Sequence, residues 1–166
     1  MINSRAKGIK GELNAAAFME DITGIKWERS AQRWGKGRAD LFCPSRPFLT
    51  LHVEVKNMQG SYRRLINAAQ NYGLTLTQDD IYVAEAQLLP LILRGDISPT
   101  WDKAQPARHK HMRSIIDKAV SDAGDNVPLL LFRENYSPWC AAWRYEDDDR
   151  LIEVLGGLCK EVEDAK

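Results

Sequence analysis

The chain has 166 residues, 44% hydrophobic and 28% charged, with equal numbers of acidic and basic side chains and no net charge at neutral pH. That length suits one domain with a substantial core, and no apolar run approaches the ~20 residues of a membrane span. Cys43, Cys140 and Cys159 are scattered and odd in number, which argues against a zinc site or a disulfide framework.

Taken in chain order, residues 8–21 predict an amphipathic helix, because Ile9, Leu13, Ala16, Ala17 and Met19 recur at helical spacing, and Thr23-Gly24 ends it. Residues 25–29 predict a first strand. A basic, Gly-rich turn over 32–38 carries Trp34, and 39–43 form a second strand. Pro44-Ser45-Arg46-Pro47 is a turn, and 48–56 a third strand. A short helix over 64–72 and a strand over 80–86 follow. Residues 86–106 are irregular: Leu88 to Leu93 reads equally as a turn of helix or a strand, and the whole stretch reads as an insertion. Residues 107–123 return to helix on an apolar stripe of Met112, Ile115, Ile116, Ala119 and Val120, stopped by Gly124. Residues 127–133 form an apolar strand, Asn135 to Pro138 a hairpin turn, and 139–145 the returning strand. A last helix over 151–162 frays into an acidic C-terminal tail. The implied fold is α/β, a central mixed β-sheet flanked by helices, in a single domain over 1–166.

Within this frame, Asp40, Glu54 and Lys56 carry the chemistry. Alternation along the third strand sets Glu54 and Lys56 on one face, with Val53 and Val55 on the other. Two carboxylates and an ammonium on neighbouring strands are costly to bury without a task. They suit a hard divalent cation such as Mg²⁺, which takes carboxylate and carbonyl oxygens; Asp40, Glu54 and the Val55 carbonyl would be its ligands. Lys56 would then orient a water or neutralise charge on a phosphate. A lone Glu-x-Lys is more often a solvated strand face; the preceding Asp40 changes that balance.

Asp40 followed by Glu54-Val55-Lys56 resembles the core motif of the PD-(D/E)XK nuclease superfamily, with Ala39-Asp40 where Pro-Asp would stand. Ser4 to Glu12 resembles the basic, Gly-containing entry to that superfamily's first helix. The chain is most similar to archaeal-type Holliday junction resolvases and their phage-encoded relatives, through this helix, Arg29-Ser30, the Asp and the Glu-x-Lys. The resemblance covers residues 4–57 well and 128–143 more weakly. It implies a restriction-endonuclease-like core and a Mg²⁺-dependent DNA endonuclease, with Mn²⁺ able to substitute. Glu12 would join the metal ligands, Gln70 would support the site, and Ser30 would lie near the scissile phosphate. It further implies a homodimer acting on branched DNA in DNA recombination. Gln70 is equally a surface amide and Ser30 equally a capping hydroxyl.

Zero net charge hides an asymmetry. Residues 4–38 carry eight basic against four acidic side chains, and residues 146–166 three basic against eight acidic. Arg5, Lys7, Lys10, Arg29, Arg33, Lys36 and Arg38 therefore form the expected DNA contact, since local sign decides attraction for phosphate. Trp34 is a candidate stacking side chain, whereas Trp27, Trp101, Trp139 and Trp143 read as core. His109 and His111 read as a solvated helix end. His52 shares the face of Glu54, as a supporting residue or a core histidine.

Three readings follow: an endonuclease resolving branched DNA, a nuclease of the same superfamily acting on other DNA, and a non-catalytic DNA-binding module. The expected setting is a cytoplasm, because Met1 to Arg5 lacks an apolar signal segment and the cysteines read as reduced, and the resemblance implies a bacterial or archaeal host cell. Residues 88–93 or 127–132 would supply a dimer interface unless they are core.

Overall fold

A computed structural model of the chain describes residues 4–30, 38–58, 66, 73–77, 80–98, 100–101, 110–134 and 137–164. In these, helix α1 (Ser4–Thr23) leads into a meander of β1 (Glu28–Arg29), β2 (Leu41–Phe42) and β3 (Leu51–Met58). Next come β4 (Leu74–Leu76), β5 (Ile81–Glu85), a 3-10 turn over Ala86–Leu88, α2 (Leu89–Leu93) and β6 (Thr100–Trp101). Helix α3 (Lys110–Ala123), β7 (Val127–Glu134), β8 (Cys140–Arg144), a 3-10 turn over Tyr145–Asp147 and α4 (Asp148–Asp164) complete the described order.

The described strands form one mixed sheet in the order β1-β2-β3-β7-β8-β5-β4-β6. β2 pairs antiparallel with β1 and β3, whereas β3 and β7 run parallel in register from Leu51↔Val127 to Met58↔Glu134. β7 is buried from Val127 to Phe132, as a central strand covered on both faces must be. Its Pro128 precedes the β8 pairing, which begins at Leu130↔Ala142, so its missing N–H breaks no bond of that ladder.

Helices cover both faces. On one, Ala15, Ala16 and Met19 of α1, Leu89, Ile92 and Leu93 of α2 and Leu151, Leu155 and Leu158 of α4 pack with Val53, Val55, Leu129 and Leu131. On the other, Met112 and Ile116 of α3 pack with Ile81, Val83, Leu130, Phe132 and Ala142. The fold is therefore α/β, a central mixed sheet flanked by helices.

Several expected boundaries move. α1 starts at Ser4 and ends at Thr23, whose hydroxyl donates to the Met19 carbonyl at 2.6 Å and accepts from Trp27 Nε1 at 2.9 Å. Gly24, at φ 66°, takes the left-handed position that closes the helix. β1 and β2 shorten to two residues each. Phe48 lies in a turn, 94% exposed, rather than in the third strand, which begins at Leu51 and runs on to Met58. Leu89–Leu93 is helix, and α4 runs from Asp148 to Asp164 with no frayed tail before that point. Strands β4 and β6 were not expected. Residues 88–93 and 127–132 are core: Leu89, Ile92, Leu93 and Val127 to Phe132 face the interior. The short helix expected over 64–72 lies outside the described residues apart from Ile66, which is buried.

Candidate functional site

Asp40 is held at both its peptide groups. Its N–H donates to the Val53 carbonyl at 2.8 Å, and its carbonyl accepts from the Ser30 N–H at 2.8 Å. The β2–β3 ladder has a single register pair, Leu41↔Val53. The next N–H on β3, that of Val55, donates at 2.8 Å to Asp40 Oδ2. One hydrogen bond thus turns the Asp40 carboxylate onto the middle residue of Glu54-Val55-Lys56. Ser30, expected near a phosphate, acts here through its backbone as a prop for Asp40.

Glu54 and Lys56 stand on the α3 face of the sheet. The Glu54 side chain is 10% exposed and Lys56 Nζ donates to its Oε1, while Lys56 stays 37% exposed. Burial pushes the Asp40 carboxyl up to about 6, with Glu54 and then Glu12 adding to the rise. The Val55 N–H and Lys56 oppose it without cancelling it. Asp40 is thus ionised at neutral pH at a cost that a cation would relieve.

The expected neighbours divide. Glu12, on α1, accepts from Arg29 Nε on β1, and both side chains are partly buried. Arg29 therefore commits its Nε to Glu12. Lys10 and Arg38 are exposed and Lys7 is half-buried. Arg33, Lys36, Gln70, Trp34 and His109, together with the side chains of Arg5, His111 and Trp101, lie outside the described residues. Trp27, Trp139 and Trp143 are core, as expected.

Sequence reasoning missed one pair. Lys118 on α3 donates to Asp122 one turn on; it feels the charges of Glu54 and Asp40, and His52 feels its charge in turn. The Asp122 hydrogen bond pushes the Lys118 ammonium up, Glu54 and Asp40 helping, while the Lys118 bond lowers Asp122. An i,i+4 Lys–Asp pair beside an apolar stripe is an ordinary surface signal, so nothing in the sequence tied it to Glu54. His52 is 2% exposed on the same face, and burial pushes its imidazole down although Glu54 and Asp122 pull it up. Its Nε2 is buried without a hydrogen-bond partner among the described residues.

Asp40 and Glu54 form a donor set of hard oxygens whose mutual repulsion a divalent cation would offset, so they fit Mg²⁺ chemically. Among the described residues no three His, Cys, Asp or Glu side chains gather as a metal-binding group. Glu12 is turned to Arg29 and Glu54 to Lys56, and each would exchange that partner to join a cation. Among the described residues no helix is long and apolar enough to cross a membrane. Compared with known proteins, the chain matches no family model, no curated protein and no solved structure.

Proposed function

We propose that this chain is a metal-dependent, structure-selective DNA endonuclease of the PD-(D/E)XK type, acting on four-way junctions or other branched DNA. The observation that carries the reading is the hydrogen bond from the Val55 N–H to Asp40 Oδ2, which joins the lone aspartate to the Glu54-Val55-Lys56 triplet. Two separate sequence segments so become one group of two carboxylates and an ammonium, with the topology of a meander feeding a parallel strand behind it.

In this reading Asp40, Glu54, Glu12 and the Val55 carbonyl would hold Mg²⁺ or Mn²⁺. When bound, such an ion supplies Lewis-acid polarisation of a phosphoryl oxygen and a lowered pKa for a water. The chain's own work is positional and electrostatic. Asp40 must be ionised, which its raised carboxyl meets only above about pH 6. Lys56, released from Glu54, neutralises charge growing on the phosphate. Lys7, Lys10 and Arg38 draw the backbone of the DNA, which carries no sequence information and so leaves selection to shape. A homodimer suits the two-fold character of a four-way junction. Because 88–93 and 127–132 are core, its interface lies elsewhere.

The test compares cleavage of labelled four-way junction, fork, nicked duplex and linear duplex, with Mg²⁺ or with chelator. Junction cleavage that needs Mg²⁺ and disappears in Asp40→Ala and Glu54→Ala, with DNA binding retained, is expected. Mg²⁺-dependent cleavage undiminished in Asp40→Ala would sink the assignment. Equal cleavage of all four substrates would leave the second reading, a nuclease acting on other DNA. Binding without cleavage under any condition would leave a non-catalytic DNA-binding module.

A further inference from the structure

The carboxyl ends of the parallel strands β3 and β7 hold polar groups that the proposed chemistry does not use. Asn57 and Arg133 are register partners there. By alternation both face the α1 side, with Val53, Val55, Leu129 and Leu131, opposite to Lys56. Gly11 of α1 lies over Asn57: a Cβ built on it would sit 3.8 Å from Asn57 Cβ. Asn57 Oδ1 and Arg133 Nε are both buried, and neither has a hydrogen-bond partner among the described residues.

Arg133 is unusual in its company. Its guanidinium carbon lies 4.3 Å above the centre of the Trp139 ring, and Trp139 is itself 6% exposed. The stack fixes the plane of the guanidinium at little entropic cost on binding. Burial pushes its pKa down, with no carboxylate acting against it. No acidic side chain pairs with it among the described residues. A half-buried, oriented guanidinium whose Nε has no partner among the described residues is costly to a fold and matches the geometry of a tetrahedral oxyanion.

We infer that Arg133, with Asn57 beside it, forms a second phosphate-binding subsite at the carboxyl ends of β3 and β7, which takes a phosphodiester of the bound DNA. The inference rests on the nuclease reading for its ligand, but the oxyanion chemistry is shared with free phosphate. Lys56 and Asn57 are consecutive, so the two phosphate contacts straddle one strand end, the first at the reacting centre and the second on the α1 face. Asn57 turns its amide nitrogen to the phosphate or its oxygen to a bridging water; amide orientation follows the partner.

The experiment uses the full chain in chelator, so that binding is read without cleavage. Fluorescence anisotropy with labelled junction and labelled duplex is followed against KCl for wild type and Arg133→Gln. The variant is expected to bind about tenfold more weakly, with a salt slope shallower by about one, the signature of one lost phosphate contact. In a second arm, inorganic phosphate is expected to raise the melting temperature of wild type and not of the variant. Arg133→Met keeps an apolar stem over Trp139 and meets the same criteria if Arg133→Gln does not fold. A folded variant with wild-type affinity and slope overturns the subsite and leaves the nuclease reading intact. A wild type that binds no DNA overturns the nuclease reading and the phosphodiester with it. An Arg133-dependent response to phosphate would then establish the site as one for the free anion, and no response would remove it altogether.

Discussion

Replacing Asp40 with Asn should make the protein more stable, and only above a defined pH. The Asp40 carboxyl sits at about 6 in the fold against an ordinary value of 3.8, raised first by burial and then by Glu54. The folded state therefore holds a proton between those values that the unfolded chain has released. Stability present at pH 4 is lost as pH rises towards 6, and the deficit is complete by pH 7. A displacement of that size corresponds to about 2–3 kcal/mol. Asn keeps an oxygen for the Val55 N–H and removes the charge, so D40N should recover most of that amount at pH 8 and almost none at pH 4. For a chain of this length the gain at pH 8 is roughly 5–10 °C in melting temperature. The assay is thermal or urea unfolding of both proteins across pH 4–8 in chelator, repeated with Mg²⁺. Saturating Mg²⁺ should stabilise wild type towards D40N and leave D40N nearly unmoved. A D40N variant no more stable than wild type at pH 8, or equally stabilised at pH 4, would refute the electrostatic picture of the site whatever the activity.

Lys56→Ala should lower Mg²⁺-dependent cleavage by about 100- to 1,000-fold, the usual effect of removing one contact to a developing charge, with DNA affinity little changed; a loss below about threefold would make Lys56 a mere partner of Glu54. Glu12→Gln should shift the Mg²⁺ titration of cleavage to higher concentration while the melting temperature falls by only a few degrees; a variant that unfolds yet keeps its metal response would make Glu12 a structural mate of Arg29. Cys140 is fully buried and its thiol is pushed up to about 12 by burial, so it should resist a disulfide reagent at pH 8 in the native state and react once urea unfolds the chain; prompt native labelling at Cys140 would contradict the packing of β8 against β7.

What could be read from the sequence follows how local its physics is. β7 announced itself because Leu129, Leu130 and Leu131 are apolar on both faces, which only a covered central strand tolerates. α3 did so through Met112, Ile116 and Ala119, spaced for one buried stripe. β4 and β6 were invisible, since three and two residues carry no periodicity and exist as strands only through their pairing. Phe48 was placed in a strand on propensity, yet the turn set by Pro44 and Pro47 leaves its ring in solvent. At the site, alternation correctly grouped Glu54 with Lys56 and with His52. The tie to Asp40 through the Val55 N–H was not legible, because which peptide group is left over depends on where the β2 ladder stops. Lys118 and Asp122 reach the same face only through the packing of α3 on the sheet, a tertiary fact with no local signature.

The eight register pairs between β3 and β7 join segments 76 residues apart in sequence. A ribosome adds roughly 5–20 residues per second, so from the emergence of Met58 to that of Glu134 some 4–15 s pass. Through that interval the strand bearing Glu54 and Lys56 lacks its principal neighbour. One side of its backbone is unsatisfied, and on the other it has the single β2 register pair and its hydrogen bonds to Asp40. Closing so long a loop is entropically slow as well as late. The strand that carries Glu54 and Lys56 thus gains its parallel neighbour only after Glu134 has emerged. On a nascent polypeptide the proposed site stands on an incomplete sheet until then.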